Sequence, residues 1–189
     1  MVSLDLKDIE TEGIYEMLYP TPVVLVTSID KNGKPNALTI AWITPTSYDP
    51  PMVALSIRPE RYSYGLIKES GEFVVNIPTV DLLKQVTTCG TISGRDIEKL
   101  KQANLTPLPA RKVKPPILKE CIAYLECKVV KEMETGDHIL VVGSVVSAYA
   151  KQKAFLDKRY RIESIPLLLT LQDGPNLFTT PKRIISLEK

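Results

Sequence analysis

Apolar and polar positions between Tyr19 and Pro78 fall in short runs separated by turn formers, the pattern of strands rather than long helices. Val23 to Val26 is apolar, Asp30-Lys31-Asn32-Gly33 is polar, and Ala37 to Ile43 is apolar again. Two such runs joined by a short Gly-containing turn predict a β-hairpin. A third strand is expected over Met52 to Ile57. Tyr62 to Ser70 then reads as a helix, with Leu66 and Ile67 apolar, Lys68 in the last turn and Gly71 just past the end. Phe73 to Ile77 is the next strand, closed by Pro78, and Leu82 to Thr88 is a helical stretch running into Cys89-Gly90.

Between and after these elements the pattern changes. Thr44 to Pro51 (TPTSYDPP) is expected to be a loop, because each proline removes a backbone donor and restricts its predecessor. Leu4 to Leu18 is a weak amphipathic segment interrupted by Gly13. Thr91 to Asn104 reads as a Ser93-Gly94 loop ahead of a polar amphipathic helix with Ile97 and Leu100 on one side, and a proline-rich connection with Arg111, Lys112 and Lys114 follows. In Cys121 to Val130 the odd positions are apolar, so that face is expected inward, with Glu126 and Lys128 on the other. Ile139 to Val146 is apolar on both faces, which calls for cover by something more, such as a partner subunit. The tail holds a basic helical or irregular piece, Lys151 to Arg161, the apolar run SIPLLLTL, a turn at Asp173-Gly174-Pro175-Asn176 and the strand-like LFTT. The whole predicts a mainly β protein, a barrel with a few capping helices, in one domain over 1–189 with its core at about 19–150 and a C-terminal extension at 151–189.

Composition narrows the chemistry. The chain has 189 residues, 44% hydrophobic, and its net charge is +2 from 24 basic and 22 acidic residues. That balance supplies no global field for nucleic acid or an anionic membrane, so any phosphate recognition is local. Asp5, Lys7, Asp8 and Glu10 interrupt the amino-terminal segment, no window reaches the length of a membrane span, and the cytoplasm is the expected location. With one histidine and three cysteines, none in a Cys-x-x-Cys pair, there is no ligand set for a metal site. Cys121 and Cys127 lie on what reads as one strand, roughly 20 Å apart, and cannot share a bond or a metal.

One pair stands out. Ser56 and Arg58 are two residues apart at a strand end and therefore share a face, a combination that suits a phosphate, and Ser63 falls in the first turn of the following helix, where free N–H groups favour an anion. Taken singly these residues have ordinary readings: Asn36 as a hairpin residue, Arg58 as a strand-end charge, Ser63 as a helix start, Trp42 and Tyr62 as packing, Ser93-Gly94 as a loop.

Their order says more. Asn36-Ala37, Asp49-Pro50-Pro51, Ser56-Ile57-Arg58, Arg61-Tyr62-Ser63, Phe73 to Pro78, Ser93-Gly94-Arg95-Asp96 and Gly136-Asp137-His138 follow one another as they do in the flavin-reductase-like family. The chain from Tyr19 to about Ala150 resembles the flavoredoxin group of FMN-binding split barrels. The resemblance implies a split Greek-key barrel, a homodimer with FMN in a groove at the subunit interface, and hydride transfer from NAD(P)H to the flavin. By the same resemblance Asn36, Ala37, Leu38 and Thr39 face the flavin ring, largely through backbone groups. Ser56, Arg58 and Ser63 hold the phosphate, Ser93 and Gly94 close over the cofactor, Ile57, Tyr62 and Asn76 belong to the binding set, and His138 acts at the reactive face to dock the nicotinamide cofactor. FAD is admitted too, since a clamp for one phosphate does not exclude an adenylate extension. The chain lacks the Gly-x-Gly-x-x-Gly turn of a dinucleotide-binding unit, so NAD(P)H would bind on the flavin's exposed face. The implied activity passes electrons to free flavin, ferric complexes or a redox partner protein; the alternative is a flavoredoxin-type carrier without steady NAD(P)H turnover.

Overall fold

The hairpin expected at Asp30 forms as β1 (Val24–Ile29) and β2 (Pro35–Ile40), with Ser28 opposite Asn36. Asp30 shapes its turn. Its carboxylate accepts the N–H groups of Asn32 and Lys34, each at 2.8 Å, and Gly33 takes a φ of +84° that an L side chain would resist. The computed structural model describes residues 9–10, 13–156, 159–161, 165–171 and 178–181. The turn expected at Asp173 to Asn176 lies outside them, as do residues 4–8 and 11–12 of the segment Leu4 to Leu18; Tyr15–Leu18 is one turn of 3-10 helix.

Five further strands complete one antiparallel sheet: β3 (Ile43–Ser47), β4 (Met52–Ile57), β5 (Glu72–Ile77), β6 (Ala123–Thr135) and β7 (His138–Ala150). The spatial order is β2-β1-β5-β6-β7-β4-β3. Its two edges, β2 and β3, are consecutive in the chain with only Ala41 and Trp42 between them, so the sheet curls until its edges approach. Ser56 N–H donates to Trp42 O at 2.9 Å, carrying the β3–β4 pairing one residue past Ile43. The architecture is a mainly β, split-barrel fold with a few helices, as expected. β3 occupies the first half of the expected Pro-rich loop. An edge strand tolerates Pro45 because only one side is paired, and the register slips between Pro45 and Ser47.

Both faces of β1 are covered. Val24 and Val26 join Leu38, Ile40, Leu55, Phe73 and Val141 inside the barrel, while Val23 and Leu25 join Leu82, Val86, Leu100 and Leu118 in an outer layer. Two-sided burial explains why the strand reads as an unbroken apolar run, and each such side chain contributes about 1.5–3 kcal/mol. Gly143 is needed where β7 crosses Phe73, since a Cβ there would stand 2.5 Å from Phe73 Cζ.

Helix α1 (Tyr62–Ser70) ends as expected at Gly71, whose φ is +67° and whose N–H reaches Ile67 O at 2.8 Å. Helix α2 (Leu83–Thr91) runs on through Gly90, which lies close enough to β2 that an added Cβ would touch Thr39 at 3.4 Å. Helix α3 (Lys99–Gln102) is a single turn, leaving Ile97 outside it, and Lys99 is buried although the polar pattern puts it at the surface.

The outward face of β6 is another departure. Glu126 is fully buried, and its carboxylate takes the N–H groups of Arg111 and Lys112 at 2.8 and 2.6 Å and the Tyr149 hydroxyl at 2.7 Å. The Pro-rich connection folds over this face and needs the carboxylate to satisfy its backbone donors. The piece at Lys151 to Arg161 contains a small hairpin, Phe155–Leu156 with Arg159–Tyr160, and Leu169–Thr170 pairs with Thr21–Pro22, tying the extension back onto the barrel. Among the described residues no helix is long and apolar enough to cross a membrane.

Candidate flavin-binding groove

Two adjoining cavities of about 380 and 410 Å³ open along β2, sharing Leu38, Arg58 and Arg61. The first runs from Leu38 to Trp42 and meets Ser56, Ile57, Gly90 and His138. The second lies between the start of α1 and the loop before α3, lined by Tyr62, Ser63, Ser93, Gly94, Arg95 and Lys99. Together they form one groove with an aromatic, backbone-rich end and a cationic end.

The seam of the barrel makes the first end. Ala41 and Trp42 join the two edge strands and belong to neither, so apart from the Trp42 carbonyl, which accepts Ser56 N–H, their backbone lies outside the strand pairing. Trp42 is fixed from three sides: its Nε1 donates to the Tyr19 hydroxyl at 3.3 Å, and its ring lies 5.2 Å from Tyr15 and 4.8 Å from His138. His138 Nδ1 is 2.7 Å from Asp137 Oδ1, and Asp137 also meets Arg58 at 3.4 Å. The hydrogen bond with His138 holds the Asp137 carboxyl below the usual carboxylate range, with the Arg58 charge acting the same way. The Arg58–Asp137 pair is exposed and worth little in itself.

The cationic end is built around a buried lysine. Lys99 is 4% exposed; its Nζ donates to Cys89 O at 3.0 Å, and no carboxylate pairs with it among the described residues. Burial lowers its pKa below the ordinary 10.5, with the like charge of Arg61 adding to the effect. Burial also pushes the Cys89 thiol up to about 11, so it stays a neutral neighbour. α1 begins in the same wall: Arg61, Tyr62 and Ser63 are its cap and first two residues, and no side chain caps it. Tyr64 N–H already donates to Arg61 O at 2.9 Å, which leaves the N–H groups of Tyr62 and Ser63 and the positive dipole end to face an anion. Asn36 Nδ2 donates to Ser63 Oγ at 2.6 Å, whereas Asn36 Oδ1 is buried without a partner. Gly94 fits against it so closely that an added methyl would collide with Asn36 Oδ1. Arg95 spans outward to Glu60 O at 3.2 Å.

Most expected site residues meet here. Leu38, Thr39, Ser56, Ile57, Arg58 and His138 line the first cavity, and Tyr62, Ser63, Ser93 and Gly94 the second, with Asn36 behind them. Two do not. The Ala37 side chain is buried in the outer layer, leaving only its backbone near the groove. Asn76 is fully buried in β5, its amide donating to Leu25 O, Thr27 Oγ1 and Val74 O and accepting Leu118 N–H at 2.8 Å, so every one of its polar atoms is used in the core. Arg61, Gly90 and Lys99 are groove residues the sequence reading passed over. Arg61 carried a signal, sitting one residue before Tyr62 in a family motif; Lys99 carried none, because its burial depends on the fold of 91–104.

The groove's chemistry fits a flavin mononucleotide, with cations and helix N–H groups for one phosphate and a backbone-rich wall for a ring. Residues 17–168 match the flavin reductase like domain. A protein of Archaeoglobus fulgidus without an assigned function is 46% identical over 137 residues, 72% of this chain and 76% of its own length. Flavoredoxin from Methanosarcina acetivorans superposes with a TM-score of 0.84 at 26% identity, covering 98% of this chain and 95% of that one. The FMN-binding protein from Thermus thermophilus gives a TM-score of 0.83 at 25% identity, covering 99% and 100%.

The placement of Asn76 generates a prediction. Asn76→Ala strands the Leu118 N–H and is expected to cost about 2–3 kcal/mol of stability, read as a lower urea midpoint with unchanged slope, while flavin affinity of the folded protein stays within twofold of the parent. A large loss of flavin affinity without loss of stability would return Asn76 to the binding set. The chain belongs to the flavin reductase-like family.

Proposed function

We propose that the chain binds FMN in this groove and works as an oxidoreductase, taking hydride from NAD(P)H and passing electrons to free flavin, ferric complexes or a protein acceptor. The observation that carries the proposal is Lys99, a buried ammonium ion-paired with no carboxylate among the described residues, in a cavity whose lining holds Arg58, Arg61 and Arg95 against the single acidic residue Glu60. Burying such a charge is costly unless a ligand compensates it, and a phosphate does so. Lys99, Arg61, Ser63 and the α1 N-terminus hold the phosphate; Leu38 to Trp42 wall the ring; Gly94 brings backbone close above Asn36. Bound FMN supplies the capacity to accept two electrons from a nicotinamide and release them singly or as a pair. His138, held by Asp137 and Trp42, positions the nicotinamide nucleotide at the open side of the groove.

The phosphate assignment is tested by comparing FMN with riboflavin. Lys99→Met is expected to weaken FMN by about 1.5–3 kcal/mol, roughly ten- to a hundredfold, and to leave riboflavin unchanged. The same lysine sets a pH dependence. Below its lowered pKa it is charged and ready; above it the free protein must take up a proton to hold phosphate. FMN affinity should therefore decline as pH rises, beginning below the 10.5 of an ordinary lysine, with no such decline for riboflavin. Equal losses for both flavins in Lys99→Met would refute the phosphate role.

Hydride transfer is read from anaerobic mixing of the FMN-loaded protein with NADH or NADPH. Rapid bleaching is the enzyme's signature. His138→Ala is expected to raise the nucleotide concentration needed for half-maximal reduction about tenfold with FMN content retained. The similarity to flavoredoxin favours a second reading, an electron carrier, and slow or absent bleaching with both nucleotides would select it.

A homodimer is part of the proposal. In β7 only Val141 and Gly143 are buried, and Val130 and Met133 on the paired β6 are 51% and 47% exposed, a β-hairpin surface more apolar than water tolerates well. Light scattering at micromolar concentration should report twice the 21.1 kDa chain mass; a monomer would reject it.

A further inference from the structure

A third cavity, of about 360 Å³, lies against the other side of the barrel seam. Tyr15, Leu18, Ile43, Ala54 and Leu140 bound it, and it shares Ala41, Trp42 and Ser56 with the flavin groove. Trp42 stands between the two, its ring in contact with Tyr15 on one side and His138 on the other. The cavities differ in charge. Arg58, Arg61 and His138 line the groove, whereas among the described residues no charged side chain lines this one.

Those features select a ligand class. An ion placed here would lose its hydration without a counter-charge, so the occupant is uncharged. The volume suits one or two rings and is too small for a helix. Trp42 and Tyr15 offer ring faces, which favour a flat π-system. The Thr21 hydroxyl, also in this wall, is enclosed without a hydrogen-bond partner among the described residues, and Thr44 and Ser56 add two more hydroxyls, so oxygen substituents on the ligand find donors.

We propose that this cavity binds a flat, uncharged aromatic carbonyl compound, a quinone being the simplest case, as an electron acceptor beside the flavin. The electron-accepting role rests on the flavin reading above; the binding does not. In the transfer both quinone C=O groups become C–O–H. The two electrons and two protons come from reduced flavin, which returns to its oxidised form, and NAD(P)H renews the supply.

Trp42 is the chain's one tryptophan and forms the cavity wall, so its fluorescence reports occupancy with no flavin present. Titrating flavin-free protein with 1,4-naphthoquinone should quench that emission along a saturating curve. Leu18→Glu, at a position 73% exposed, puts a charge at the rim and should weaken the quinone at least tenfold while FMN affinity stays within twofold. Thr44→Lys, on the opposite wall, should do the same and guards against a simple detachment of the Tyr15–Leu18 turn. In the reduced, FMN-loaded protein both variants should slow reoxidation by naphthoquinone and leave reoxidation by ferricyanide unaltered. Quenching linear in quinone, or equal affinity in parent and both variants, overturns the site. Saturable quenching with no FMN binding overturns the flavin reading and the acceptor role with it, and leaves the cavity as a quinone site.

Discussion

Two consecutive strands form opposite edges of one seven-stranded sheet, and everything else in the barrel follows from the two residues between them. A flat sheet would hold β2 and β3 five strands apart, a span that Ala41 and Trp42 cannot bridge. The sheet must roll until its edges meet. It cannot close its ladder where the chain crosses, because the crossing residues run between the strands rather than along them. The resulting seam has backbone groups not committed to a neighbour and a side chain, Trp42, with cavities on both sides. In this fold the place where pairing fails is the place where a ligand can be gripped by backbone.

The cationic end trades stability for binding. Lys99 is buried with its ammonium donating to one carbonyl, Cys89 O, while Asn36 Oδ1 is buried without a partner among the described residues. Both are costs borne in the unliganded protein. Around them the structure is tightly determined: Asn36 is tied to Ser63, Gly94 sits against Asn36, and Thr39 Oγ1 donates to Val86 O at 2.5 Å. The two groups call for different partners: the buried ammonium suits an anion, whereas Asn36 Oδ1, an acceptor, suits an N–H or O–H of a ligand.

How far the sequence reveals this depends on whether a property is local. The Asp30–Gly33 turn, the α1 stop at Gly71 and the strand at Met52–Ile57 are set by nearby residues, and each lies where its pattern puts it. Glu126 and Lys99 are buried against the polar pattern for one common reason. Each has partners that come from elsewhere in the chain: Arg111 and Lys112 for Glu126, Cys89 for Lys99. Periodicity reads polarity as exposure, and a long-range hydrogen bond is invisible to it. The Pro45 edge strand fails differently, since a proline rule written for central strands does not hold at an edge. The groove was legible mainly through the order of its motifs, which grouped Ser56, Ser63, Ser93 and His138 before any geometry could.

Charge divides the space around Trp42, and the division constrains how two substrates can share the protein. On the proposed function a nicotinamide nucleotide, which brings phosphates, would belong on the side of Arg58, Arg61 and His138, since the walls toward Leu18 and Leu140 would leave those phosphates without counter-ions. An apolar acceptor gains most on that other side, where burial of its ring faces costs no ion its hydration. One indole lines both, hydrogen-bonded to Tyr19 and in tilted contact with the Tyr15 and His138 rings, so on the proposed reading neither ligand would need to vacate its cavity for the other. A fold that closes its sheet at a single aromatic residue thereby obtains two chemically distinct approaches to one groove.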